Sequence, residues 1–305
     1  MLDVCLPGTG GVLPLENRWL TCCWVEYQGK AILIDCGEGT QIALKKAGCK
    51  LSRLDVLLIT HFHADHIAGL PGLLLTLGNT GKTTPLIIAG PVGLERVVSA
   101  LTAIVPVQPY PIDLVELKGD RAEKLKKSEM EISCLPLRHG MPCLGYRIAI
   151  KRKPIFNPFK AQQLEIPKPL YETLHAGQAI QLEDGRVIEP NMVLDGVRDP
   201  IQVCYCTDTQ PIDEISDFAR GADLLICEGM YGDDTLHNKM KEKGHMVFSD
   251  SAQIAKKAGV KQLWLTHYSP AMANPEQYLD EARKIFPQTV AAHDGICTTL
   301  GNSKD

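Results

Sequence analysis

Positions 61 to 66 read His61-Phe62-His63-Ala64-Asp65-His66, three imidazoles and a carboxylate within six residues. Side chains of this kind are costly to bury at such density unless a cation holds them. Three more candidate donors stand where apolar runs end: His139 after 132–137, Asp208 after 203–207 and His267 after 263–266. Five histidines and two aspartates exceed what one tetrahedral zinc takes, and they suit two ions sharing a bridging carboxylate and a bridging water. Two Zn2+ per chain are expected, and a donor set that includes carboxylates also accepts Mn2+ or Fe. Such a pair of ions polarises a phosphoryl or acyl oxygen and activates water at neutral pH, so the expected reaction class is hydrolysis.

Donors scattered over two hundred residues need rigid supports. The run 54–60 is apolar, of strand length, and stops abruptly at His61. Strand character also appears at 2–6, 19–26, 31–35, 86–90, 202–207, 224–228 and 262–266, and 105–135 reads as strands joined by a charged loop. The stretch 67–77 carries apolar residues at mixed helical spacing around Pro71. Helices are predicted over 92–104, with Pro91 beside the start, and over 251–258. A last helix has Asn274 as N-cap, Pro275 at its first position and Glu276 next, and runs to about 285. β-rich and helical stretches thus alternate twice along the chain. Gly8-Thr9-Gly10-Gly11 lacks the Gly-Lys-Ser/Thr of a phosphate loop and is expected to be a plain turn.

Composition narrows the function classes. With 45% hydrophobic and 22% charged residues, the 305-residue chain has enough apolar material for a sizeable core and is not a disordered or fibrous sequence. A formal net charge of −4 gives no whole-chain signal of a polyanionic partner, so any such partner needs a local basic surface. That surface has a candidate. The proline-rich stretch 151–200 interrupts the core pattern, and its first part carries Lys151, Arg152, Lys153, Lys160 and Lys168 against Glu165 alone. Eleven cysteines, an odd number with no C-x2-C pair, are expected to be reduced thiols in a reducing compartment. The first seventeen residues hold no Lys or Arg, and no apolar run is long enough to span a membrane, so a cytoplasmic location is expected.

The cluster at 61–66 resembles the HxHxDH signature of the metallo-β-lactamase superfamily, with His139, Asp208 and His267 following in the family's order. Within it, the chain is most similar to the short-form tRNase Z family over nearly its whole length. The matching stretches include Gly8-Thr9-Gly10-Gly11 with Pro14 and Arg18, and Leu33-Ile34-Asp35-Cys36-Gly37-Glu38-Gly39-Thr40-Gln41. Gly69-Leu70-Pro71-Gly72, Leu182-Glu183-Asp184-Gly185-Arg186, Thr266-His267-Tyr268-Ser269-Pro270 and Ala292-His293-Asp294-Gly295 match as well. The resemblance implies a single αβ/βα sandwich domain over 1–305, with 151–200 as an inserted flexible arm that grips tRNA, from the opposite subunit of a homodimer. It also implies that His61, His63 and His139 hold one metal, Asp65, His66 and His267 the other, and that Asp208 bridges them. Asp65 would orient or deprotonate the attacking water, while His245 serves the leaving oxygen and Glu228 orients His245. The implied substrate is precursor tRNA, cut to release its 3′ trailer.

Four positions depart from the family pattern. Ile166-Pro167-Lys168-Pro169-Leu170 replaces the arm's Gly-Pro turn, and the acid stands in Cys227-Glu228-Gly229-Met230. Met246-Val247 follows His245 where Ser-Thr is expected, and Ala271 replaces an arginine. These departures leave open an alternative, a divergent hydrolase using the same metals on a small phosphodiester or ester without binding tRNA.

Overall fold

The computed structural model describes residues 1–118 and 129–301, and part of the charged loop expected within 105–135 lies outside them. The chain divides into two compact units: 1–148 together with the chain from 202 onward, and 149–201.

In the larger unit the chain begins with β1 (Leu2–Gly8), β2 (Cys22–Tyr27) and β3 (Lys30–Ile34), followed by α1 (Thr40–Lys46) and β4 (Leu54–Leu58). Next come α2 (Ala64–Ile67), α3 (Leu70–Asn79), β5 (Leu86–Pro91), α4 (Leu94–Leu101) and β6 (Ile112–Leu117), then β7 (Glu131–Leu137) and β8 (Cys143–Ile150). In the smaller unit, α5 (Pro158–Gln163), α6 (Tyr171–His175) and the antiparallel pair β9 (Ile180–Gln181) and β10 (Val187–Ile188) enclose a core of Ala161, Ile166, Leu174, Ile180, Ile188 and Val193. The larger unit resumes with β11 (Ile201–Cys206), α7 (Asp213–Phe218), β12 (Leu224–Glu228), α8 (His237–Glu242) and α9 (Phe248–Ala258). It closes with β13 (Leu263–Thr266), α10 (Leu279–Ile285), β14 (Thr289–Ala291) and β15 (Ile296–Leu300).

Two sheets result, ordered β15-β1-β2-β3-β4-β5-β6 and β14-β13-β12-β11-β8-β7. In the first, β15, β1, β2 and β3 run antiparallel, and β3 to β6 run parallel. Strands β11 to β14 of the second are also parallel. Helices cover one face of each sheet. Leu44, Leu70, Leu73, Leu77, Leu94 and Val98 pack on Trp24, Leu33, Leu57 and Ile88 of the first, while Ile215, Phe248, Ala255 and Leu279 pack on Cys204, Cys206, Leu225 and Leu265 of the second. The sheets meet through their other faces, where the Tyr146 hydroxyl donates to Ile59 O at 2.6 Å and the Thr21 and Thr266 hydroxyls pair at 2.9 Å. This is the αβ/βα sandwich, with its parallel strands nearly all apolar because both faces are covered.

Several boundaries differ from the sequence reading for local reasons. Helix α4 starts at Leu94 because Pro91 still belongs to β5 and Gly93, at φ 97°, turns the chain between them. Helix α9 starts at Phe248, three residues early, where the Asp250 carboxylate accepts the Val247 N–H at 3.1 Å. Asn274 caps as expected, its Oδ1 accepting the Glu276 N–H at 3.2 Å, but the first turn is 3-10 before α10 begins. The cysteines bring a correction. Cys5 and Cys297 stand directly opposite on antiparallel β1 and β15 and are joined as a disulfide. A separation of 292 residues hides that pairing from the sequence; strand register creates it. Among the described residues no helix is long and apolar enough to cross a membrane.

The smaller unit carries its own core, so Leu174→Ala is expected to cost about 2–5 kcal/mol locally. Hydrogen exchange should accelerate across 149–201 and stay unchanged in β4 and β12.

Candidate metal centre

Strand ends build the site. Asp35 follows β3, the run Thr60 to His66 follows β4, His139 follows β7, Asp208 follows β11, Glu228 ends β12 and His267 follows β13. In parallel sheets this carboxyl edge is where side chains of several strands converge. Asp35, Asp208 and His267 sit at φ 64°, 55° and 62°, left-handed conformations that turn each chain sharply as it leaves its strand. The turn after β3 allows a very close approach. A Cβ on Gly69 would lie 1.9 Å from Gly37 O, and one on Gly37 would lie 2.0 Å from Asp65 O. Only glycines at both positions let the segment after His66 dock there, with Cys36 N–H donating to His66 O at 2.7 Å.

All seven predicted donors come together. His61 Nε2 and His63 Nδ1 are 2.9 Å apart, and His139 Nε2 is 3.2 Å from the same His63 nitrogen. His66 Nε2 and His267 Nε2 are 3.3 Å apart, and Asp65 Oδ2 lies 3.5 and 3.4 Å from them. Asp208 stands between the two groups: Oδ2 is 3.3 Å from His66 Nε2, and Oδ1 is 3.4 Å from His267 Nε2 and 4.0 Å from His61 Nε2.

The far side of each ring fixes which nitrogen faces inward. Thr60 gives both its N–H and its hydroxyl hydrogen to Asp35, so its oxygen is left to accept from His61 Nδ1–H at 3.0 Å. His66 Nδ1–H donates to Asp35 Oδ2 at 2.8 Å, and His139 Nδ1–H donates to Gly244 O at 3.1 Å. In their neutral, ligating form the inward nitrogens of His61, His66 and His139 therefore carry lone pairs. In that form the His66 Nε2 lone pair faces Asp208 Oδ2 at 3.3 Å and Asp65 Oδ2 at 3.5 Å, which is repulsive, and Asp208 Oδ2 is buried with no hydrogen bond among the described residues. A divalent cation in each group removes both difficulties, so the residues present fit metal binding. Groups of donor atoms within 4.8 Å of one another are His61, His63 and His139; Asp65, His66 and His267; and His61, His66 and Asp208.

Electrostatics separate the rings: burial opposes charge on both His66 and His267, yet Asp208 and then Asp35 raise the His66 pKa, and Asp208 and then Asp65 raise that of His267 to about 10. Burial, and then the neighbouring imidazoles, hold the His61 pKa far below its ordinary value, and His63 is lowered by burial and by His139. Neutral rings are the ligating form. Burial works to raise the Asp65 pKa, but the adjacent His267 and His66 outweigh it and keep the carboxylate ionised. A third partner of Asp65 is the Val12 N–H, which donates to Oδ2 at 2.7 Å.

Glu228 and His245 form a pair at the rim. His245 Nδ1 hydrogen-bonds Glu228 Oε1, while Glu228 Oε2 accepts from Thr209 N–H and Met246 N–H, both at 3.2 Å. Burial opposes the charged form of each, yet their attraction wins: the glutamate is lowered and the histidine raised. The same Oε1 lies 3.5 Å from His267 Nδ1, so one carboxylate faces both a metal-site ring and the rim histidine. The basic residues Lys151, Arg152, Lys153, Lys160 and Lys168 belong to the smaller unit, where all but the half-buried Arg152 are exposed. Lys160 is neutralised locally by Asp195 at 2.6 Å.

Asp35 and Thr60 brace the rings of His61 and His66, roles that no residue spacing in the sequence marks. The available signal was a carboxylate and a hydroxyl at the ends of two adjacent apolar strands.

Comparison with known proteins decides the family. Ribonuclease Z of Lachnospira eligens is 48% identical over 300 residues, covering 98% of each chain, and that of Agathobacter rectalis is 48% identical over 305 residues, covering 100% of each. The chain belongs to the ribonuclease Z family. Ribonuclease Z of Lachnoclostridium phytofermentans is 45% identical over the full length of both chains. Residues 192–268 match the beta-lactamase superfamily domain, and 2–94 match the family described as anti-Pycsar protein Apyc1. Human tRNase Z, short form, superposes with a TM-score of 0.67 at 24% identity over 98% of this chain and 99% of its own. The metallo-beta-lactamase fold protein YhfI from Bacillus subtilis gives 0.68 at 21% over 97% and 98%. These two likenesses establish the fold.

Asp35→Asn keeps the size of the side chain but weakens its grip on His66 and Thr60. Metal affinity is expected to fall about 10–100-fold, read by competition with a chromogenic chelator.

Proposed function

We propose that this protein is a metal-dependent endoribonuclease that removes the 3′ trailer from precursor tRNA. Kinship with ribonuclease Z at 45–48% identity, end to end, carries the reading. The complete donor set and the rim pair support it.

His61, His63 and His139 would hold one ion, Asp65, His66 and His267 a second, and Asp208 would reach both. Zn2+ is the ion these donors favour, with Mn2+ and Fe as the alternatives. When bound, the ions polarise the phosphodiester and lower the pKa of water. Asp65 accepts a proton from the attacking water, and the Val12 amide keeps its Oδ2 in place for that step. His245, kept charged by Glu228, gives its proton to the departing 3′ oxygen. The hydrogen bonds from Thr209 and Met246 hold Glu228 still, which fixes the imidazole's direction. The unit 149–201 presents Lys151, Lys153 and Lys168 to solvent as candidate phosphate contacts, which position an RNA without reading its sequence. A homodimer in which that unit serves the partner's substrate, acting in the cytoplasm, completes the proposal. A small diester or ester substrate is favoured only by Ala271 and by the altered 166–170 turn, against kinship along the entire chain.

Metal-loaded enzyme should cut a precursor tRNA once, at the 3′ boundary. His245→Ala should slow that cut about 10²–10⁴-fold, and Asp65→Ala should abolish it. Cleavage of a small chromogenic diester with no cut in the tRNA would overturn the proposal. Replacing Lys151, Arg152 and Lys153 together by alanine should reduce the slope of log affinity against log salt by about 2, measured by filter binding.

A further inference from the structure

All eleven cysteines lie within the described residues, and ten are buried or half-buried. Burial pushes the thiols of Cys23 and Cys36 far above their ordinary range, and those of Cys49, Cys204 and Cys227 up to about 12, so they stay protonated and inert. Cys297 alone is exposed, and it is bonded to Cys5. The pair opens onto a surface cavity of about 420 Å³, walled also by Trp24, Glu26 and Cys49. A small thiol or disulfide can therefore reach Cys297.

What the pair ties down is unusual. Strand β15 is the edge of its sheet, with β1 as its one neighbour among the described residues, and an edge strand held on one side frays most easily. Just before β15, Asp294 accepts from the Thr9 hydroxyl at 2.7 Å and from Trp19 N–H at 2.6 Å, while Gly295 N–H donates to Leu6 O at 2.7 Å. These bonds grip both ends of the loop between residues 9 and 19. That loop supplies the Val12 amide to Asp65 and lays Gly11 against His267, where a Cβ would meet the ring at 2.8 Å.

We propose that Cys5 and Cys297 are a thiol–disulfide exchange site whose oxidised form tightens the metal centre through the Asp294 clasp. A low-molecular-weight disulfide supplies the oxidation. The Cys297 thiolate attacks it, one external thiol leaves, and the Cys5 thiol, losing its proton to water, displaces the second to close the bond. Two electrons pass to the external disulfide, and a dithiol reverses both steps. The loop's backbone bonds to Tyr268 persist in either state, so the effect is a graded change in metal retention.

The test uses the full-length, metal-loaded protein equilibrated with oxidised or reduced glutathione. Differential alkylation and mass spectrometry should find Cys5 linked to Cys297 only after oxidation. Metal release to a chromogenic chelator should be about threefold or more slower in the oxidised form, and its Tm about 5 °C higher. Cys297→Ser and Cys297→Ala, changed at an exposed position, should release metal at the reduced rate under both conditions. Recovery of Cys5 and Cys297 as free thiols after oxidation, or equal release rates in the two states, would overturn the proposal. Neither readout depends on tRNA cleavage, so its failure leaves the proposed function standing.

Discussion

Three imidazole nitrogens and a cluster of carboxylate oxygens aimed at one another make the central constraint of this molecule. With the rings neutral and no cation between them that arrangement is repulsive, and no rotation relieves it, because the far nitrogens of His61, His66 and His139 are already committed to Thr60, Asp35 and Gly244 O. The protein holds the repulsion open by anchoring each ring from behind. Stability given up at the donors is recovered in the sandwich, whose strands β3, β4, β11, β12 and β13 are almost entirely buried. The site is thus preorganised for metal, and the fold is what keeps it so.

Seen this way, the two sheets have different tasks. The first brings Asp35 and the 60–66 run, so it supplies both donors and their braces. The second brings Asp208, Glu228 and His267 on three adjacent parallel strands, in chain order. Glu228 joins the two tasks, since a single oxygen faces both His267 and His245. A change at that carboxylate reaches both the metal site and the rim histidine.

Much of this was legible beforehand, and the reasons are physical. A strand that ends in His-x-His-x-Asp-His announces itself, since each polar group would otherwise be buried unpaired. Apolar runs ending in His139, Asp208 and His267 announce themselves likewise. The braces were less visible. Asp35 and Thr60 matter through backbone geometry and contacts between strands that only folding brings side by side. The small core of 149–201 was hidden as well, because its apolar residues, from Ala161 to Val193, are spread over short turns with no sustained period. The Cys5–Cys297 bond was invisible for the same reason: register between distant strands has no local signal.

The clasp at Asp294 has a consequence for how the chain is made. Residues 294–300 leave the ribosome after the other elements described, yet they pair with β1 and grip the loop beside Asp65. A nascent chain can assemble both sheets' parallel strands while the first sheet still lacks its edge. Contacts this remote in sequence close slowly. The metal site is therefore steadied only once β15 has emerged, and a chain that stalls before it has the ligands without the clasp on the loop beside Asp65.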